Sequence, residues 1–249
     1  MLSAHLVVPA AAAFVAGVMN SVAGGGSFLS FPALLFAGVT PISANATNNA
    51  AMWVGTIGSA RGYREELAEH RALLLPVISV SIVGSLIGAR LLLLTPQALF
   101  ARLIPWLLLF ATAVFAASPL LRKPAGGAPR HAPWQIVAQF GVAIYGGYFG
   151  AGMGILMLAL LAFSGLPNLN AQNAIKNMLS VSINGVALVP FVLARVVDWR
   201  FALPMAFIAL LGGYFGARFF RRVPQRLSRV LVVSIGSAMT IVFFAKTYL

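Results

Sequence analysis

The chain has 249 residues, of which 60% are hydrophobic and only 8% charged, with 17 Lys and Arg against 4 acids and no cysteine. Apolar usage that high excludes a soluble globular domain and reads as an all-α integral membrane protein, while the lack of cysteine excludes disulfide and thiolate chemistry. A net charge of +13 would point to nucleic acid in a soluble chain, but here it lies in loops and helix ends, so it reads as topology signals and contacts with membrane lipids, with no nucleic-acid partner.

The first apolar run extends from about Leu6 to Gly38, some 33 residues. One membrane crossing takes about 20, so the run is too long for one span and too short for two. No Lys or Arg precedes it, unlike a secretory signal peptide, so the segment is expected to be retained. Within it lies Ala23-Gly24-Gly25-Gly26-Ser27. Adjacent glycines are poor helix formers and leave their amides uncovered. The spacing predicts a helix that breaks inside the bilayer and restarts at half length, with Ser27 capping the segment Phe28–Ala37. Irregular backbone at that depth is tolerated only inside protein or along a wet cavity. Close helix packing through small residues is the competing reading.

Nine further apolar segments follow, at about 28–38, 44–60, 72–94, 99–118, 134–149, 155–164, 171–194, 201–220 and 227–248, after the first at 6–23. Six are near full span length, 6–23 and 134–149 are borderline, and two are half-length. The chain also repeats itself at an offset of 128 residues. Gly84, Gly88, Ala89, Arg90, Pro96, Gln97 and Leu99 match Gly212, Gly216, Ala217, Arg218, Pro224, Gln225 and Leu227, and Gly26 falls on Gly154 of the second glycine cluster, Gly150-Ala151-Gly152-Met153-Gly154. The expected organisation is therefore one transmembrane unit with repeat 1 over 1–118, a basic linker over 119–133 and repeat 2 over 134–249.

Charge addresses the orientation of the halves. If each glycine segment is a re-entrant hairpin, each half crosses about three more times and the repeats are inverted. Twelve Lys and Arg then share one face against 5 on the other; parallel repeats would split them 9 to 8. Basic residues collect in the cytoplasm, so the lopsided count favours inverted topology with both termini outside. Inverted repeats with interrupted helices are the layout of many secondary transporters, whose site lies where the breaks meet.

Half-helices starting near Ser27 and Ile155 would aim unpaired amides and positive dipole ends at that point, a ready anion site. This makes Gly24, Gly25, Gly26, Ser27, Gly150, Gly152 and Gly154 candidate substrate-binding residues. Asn45, Asn48, Asn49 and Met52 share a helix face by i, i+3, i+4, i+7 spacing, and Asn173, Lys176, Asn177, Ser180 and Asn184 form the matching stripe. Amides in apolar helices bridge neighbours or line a path. The candidates taken from these stripes are Asn45, Asn48, Asn49, Asn173, Lys176 and Asn177. Asn20, just before the first break, is a weaker one. Lys176 either faces the cavity, where it would attract an anion, or snorkels to the interface. The acids Glu65, Glu66, Glu69 and Asp198 all fall in or beside loops. Neither a cation site nor a carboxylate proton relay is supported, and no nucleophile–base pair or nucleotide loop suggests an enzyme, a metal or a cofactor.

The stretch Gly17-Val-Met-Asn-Ser-Val-Ala-Gly-Gly-Gly-Ser-Phe-Leu-Ser-Phe-Pro32, then Gly38-Val-Thr-Pro-Ile-Ser-Ala-Asn-Ala-Thr47, with the degenerate copies at 150–154 and 170–174, resembles the sulfite exporter TauE/SafE family of membrane transporters. The likeness runs across nearly the whole chain. It implies a multi-pass protein of the bacterial cytoplasmic (inner) membrane that moves a small anion such as sulfite, a sulfonate or a related sulfur or organic anion. The second copy departs from the pattern, with Met153 inside its glycine cluster and no proline before Gly165. A carrier working by alternating access, with export as its direction, is the expected function. An anion channel through the same glycines and a non-transporting membrane protein are the alternatives. The duplicated G-x-x-x-G at 84–88 and 212–216 permits contact within the chain or in a homo-oligomer.

Overall fold

A computed structural model describes residues 2–70, 74–117, 133–219 and 225–248, all in helices and their connections. Among them are eleven helices: α1 (Leu2–Val22), α2 (Ser27–Phe36), α3 (Pro41–Gly62), α4 (Arg64–Glu69), α5 (Leu74–Leu94), α6 (Gln97–Ala117), α7 (Pro133–Tyr148), α8 (Met153–Leu161), α9 (Leu169–Leu193), α10 (Trp199–Phe219) and α11 (Gln225–Tyr248). All ten apolar segments correspond to helices, and the charged α4 adds a turn between α3 and α5. The linker 119–133 lies outside the described residues apart from Pro133.

By length and composition four helices can cross a membrane: Leu74–Leu94, Gln97–Val114, Leu169–Leu193 and Trp199–Phe219. That is fewer than the six segments expected. The described apolar part of α11, Val233–Tyr248, is short. α3 has 22 residues but buries Asn45, Thr47, Asn48, Asn49, Thr56 and Ser59, which lower its hydropathy. A helix with that much buried polarity needs protein around it rather than lipid.

Both glycine clusters break the chain. The amides of Ala23 and Gly24 converge on the Met19 carbonyl, at 2.9 and 3.0 Å, and those of Phe149 and Gly150 converge on Tyr145, at 2.8 and 3.3 Å. Gly24 (φ 77°) and Gly25 (φ 81°) in the first break, and Gly150 (φ 75°) and Gly152 (φ 80°) in the second, hold left-handed backbone that other residues adopt at a cost. After the first break the chain doubles back: a Cβ on Gly26 would lie 2.7 Å from the Ala16 Cα. Ser27 does not cap α2 as expected. It is the first helical residue, Gly26 takes the capping position, and no side chain caps that end.

The halves interlock reciprocally. α10 packs on α1 and α3, and α5 packs on α7 and α9; α3 and α9 meet at the centre, α2 touches α11 and α8 touches α6. The two G-x-x-x-G faces serve this packing. A Cβ on Gly84 would sit 2.8 Å from the Phe140 carbonyl oxygen of α7, and Gly212 abuts Phe14 of α1. Both faces are thus occupied within one chain. The core is aromatic where the half-helices arrive: Phe28 and Phe31 of α2 are fully buried, and Phe31 meets Phe149 of the second break edge-on at 5.4 Å.

Candidate functional site

The two breaks touch. A Cβ on Gly24 would lie 2.8 Å from the carbonyl carbon of Gly154 and from the amide of Ile155. Only glycine on both sides permits backbone to approach backbone this closely. Around the contact is a small cavity of about 30 Å³. It takes about one water.

The cavity walls include Asn20, Gly24, Gly25 and Ser27 from the first break, Gly150, Gly152 and Gly154 from the second, Asn45, Asn48 and Asn49 from α3, and Lys176 from α9. The amides of Gly25, Ser27, Gly152 and Gly154 find no hydrogen-bond acceptor among the described residues. Ser27, Gly152 and Gly154 belong to the two helix starts, Gly25 directly precedes the first, and all four residues line the same cavity.

Three of the expected residues do not line it. The amide of Gly26 is already taken, donating to Asn20 Oδ1 at 2.8 Å, so Asn20 splints the break. Asn173 Nδ2 donates to the Val22 carbonyl at 2.9 Å, and Asn177 Nδ2 to the Ser21 carbonyl at 3.3 Å. These two amides stop the open C-terminal end of α1, satisfying carbonyls that have no partner within the helix.

Lys176 does both. It is 1% exposed and lines the cavity, yet its Nζ donates to the Asn20 carbonyl, to the Ser21 carbonyl at 3.4 Å and to Asn173 Oδ1 at 2.9 Å. It does not snorkel. The carboxyl end of α1, with its negative dipole end, faces the amine. The only ion pair among the described residues is Arg200–Asp198, so no carboxylate balances it.

The amides of α3 are largely tied. Asn45 Nδ2 donates to the Tyr148 carbonyl at 3.1 Å, Asn48 Oδ1 accepts from Ser30 Oγ at 2.6 Å, and Asn49 Nδ2 donates to Asn184 Oδ1 at 3.2 Å. Asn49 Oδ1 is buried without a partner. The lining also includes Met52, Ser180 and Asn184, which belong to the two stripes, and Thr56, Phe149 and Met153, which lie outside the expected site residues. Thr56 was findable, one turn beyond Met52 on the same face. Nothing in the sequence marks Phe149.

Among the described residues there are helices and no strands, several of the helices long and apolar, with two breaks at a shared polar cavity: this is the construction of a multi-pass membrane transporter. Similar proteins bear that class in their names. The chain is 27% identical over 236 residues to "Probable membrane transporter protein ORF9" of Sinorhizobium sp, covering 92% of this chain and 88% of that one. It is 28% identical over 230 residues to "Probable membrane transporter protein YfcA" of Escherichia coli K12, covering 92% and 85%. A "Probable membrane transporter protein" of Haemophilus influenzae is 27% identical over 237 residues, covering 91% and 89%. The profile described as Sulfite exporter TauE/SafE matches residues 9–243, and the chain belongs to that family. No solved structure matches it significantly.

Proposed function

We propose that the protein is a secondary transporter that exports a small oxyanion, sulfite, a sulfonate or a related sulfur or organic anion, across the cytoplasmic membrane. The observation that carries this reading is the contact of the two breaks, Gly24 against Gly154, with unpaired amides from both sides opening on one cavity. An oxyanion there would accept from those amides, and Lys176 would contribute charge. Asn45, Asn48 and Asn49 would orient the solute; Asn173 and Asn177 act on it only through Lys176 and the end of α1.

The reciprocal packing of α1 on α10 and α7 on α5 supports two repeats related by a pseudo-two-fold axis. Their inversion follows from the charge count and from hairpins that enter and leave on one side. A cavity of about 30 Å³ is too small for a four-atom oxyanion, which supports a carrier over an open pore. Rocking of one half against the other would enlarge it and expose it to either side in turn. An inside-negative potential of about 100 mV favours a departing monovalent anion by about 2.3 kcal/mol, roughly a 50-fold gradient. No carboxylate lines the cavity to carry a coupling proton or cation, which supports export.

The test uses sulfite-loaded proteoliposomes. Efflux should quicken when the interior is made negative and fall at least about ten-fold in Lys176→Ala. Flux indifferent to both would overturn the reading, and flux far above carrier rates would select the channel.

A further inference from the structure

A second polar cavity, of about 440 Å³, lies at the end of the bundle where α3 and α10 finish, lined by Arg61, Gly62, Arg64, Glu65, Tyr214, Arg218 and Phe219. We infer that it is a binding site for the phosphate head group of an anionic phospholipid, independent of the transport reading. Three arginines face one acid there. Gly62 packs so closely on Ala217 that a Cβ would overlap it, which draws the arginine-bearing ends of the two helices together. Arg218 Nη1 donates to the Tyr214 hydroxyl at 3.3 Å, so that hydroxyl keeps its own proton for a phosphate oxygen. The guanidinium forks match phosphate geometry, and none of the three makes an ion pair among the described residues.

The apolar surface beside the arginines argues for a lipid rather than a free ion. Phe215 and Phe219, 42% and 62% exposed, stack at 5.8 Å on the outer face of α10. A head group on the arginines would lay its acyl chains along those rings. The opposite end of the bundle supplies an internal control. At the offset of 128 residues, Arg218 corresponds to Arg90, but Arg61 and Arg64 correspond to Val189 and Val192, which are 57% and 40% exposed. The arginines that α3 and α4 set beside Arg218 therefore have no counterparts at the matching positions beside Arg90. The Arg218 end is the one expected to be cytoplasmic, where anionic lipid attracts arginines at the membrane surface.

The experiment is native mass spectrometry of the full chain released from micelles holding equal phosphatidylglycerol and phosphatidylcholine. Wild type should retain phosphatidylglycerol preferentially. Arg61→Gln and Arg218→Gln should each weaken retention about five-fold, and Arg90→Gln should leave it unchanged. These side chains are exposed, and each variant is compared only as a monodisperse species with wild-type thermal unfolding. Equal retention of the two lipids, an equal loss in Arg90→Gln, or displacement of the lipid by millimolar inorganic phosphate would each overturn the proposal. The last result would make the cavity a site for free anions instead.

Discussion

The stripe on α3 and the stripe on α9 hold equivalent positions 128 residues apart, Asn45 with Asn173, Asn48 with Lys176, Asn49 with Asn177, Met52 with Ser180 and Thr56 with Asn184. One device is common to both. Asn45 stops the end of α7 at Tyr148, and Asn173 stops the end of α1 at Val22, so each stripe holds the other half's broken helix. They then diverge. Asn48 stays in its own half, bonded to Ser30, whereas Lys176 reaches across to the Asn20 and Ser21 carbonyls, and Asn177 joins it. Three side chains of α9 clamp α1, and one of α3 clamps α7. Charge in the site is one-sided, and the residue carrying it is also a clamp. If the halves move, the α3–α7 contact is the weaker one and the place to open first.

The closest point of the two breaks is where a substitution should do most harm. Gly24→Ala adds a side chain at φ 77° and 2.8 Å from the Gly154 backbone. The left-handed strain and the overpacking together should cost about 2–5 kcal/mol, and transport should vanish. Gly38→Ala, at φ 88° with nothing within 4 Å, should cost only the strain, about 1–2 kcal/mol. Thermal unfolding in detergent compares them. Equal losses would mean that the contact between the breaks does not constrain the fold.

Lys176→Asn makes the two stripes alike. The amide still offers donors to the end of α1, so stability should fall by about 1–3 kcal/mol, the range for a carbonyl left short of a partner. Anion flux should fall further than stability predicts, because Lys176 is the only basic side chain among the described residues of the lining. Efflux measured at matched folded fraction separates the effects; unchanged flux would assign Lys176 to the clamp alone. Asn173→Ala removes a clamp member that does not itself line the cavity but accepts from Lys176 Nζ, and it should cost about 1–2 kcal/mol with a smaller effect on flux than Lys176→Asn.

Much of this was legible because the signals are local. Long apolar runs set the helices to within a few residues, and three glycines in a row announced a break that left-handed backbone then made. The stripes followed from helical spacing. What was illegible depended on which neighbour a side chain met. Asn173 and Asn177 share a face with Lys176, but the cavity touches only one edge of that face and α1 covers the other. The Gly26 amide was lost from the site because Asn20, six residues back, folds over it. Phe149 came in with the second break, seated by Phe31 from the other half.

The smallest effect concerns the start of α10, where the halves also meet. The Asp198 amide donates to Thr47 Oγ1 of α3 at 2.9 Å, and Asp198 Oδ1 accepts from the Arg200 amide at 3.1 Å, an N-cap. Hydrogen bonding from the Arg200 side chain holds the Asp198 carboxyl below the usual carboxylate range. A depressed folded-state value means that the ionised form is favoured by folding. Its contribution is present above the unfolded value, near 3.9, and is lost as pH falls through the folded one. Asp198→Ala should therefore cost about 1 kcal/mol at neutral pH. Asp198→Asn, which keeps an acceptor at the cap, should cost a few tenths. The deficit of Asp198→Ala should shrink only below about pH 4. Unfolding midpoints at pH 7 and pH 3.5 decide it, and a deficit that already shrinks between pH 7 and pH 5 would place the stabilisation on some group other than this carboxylate.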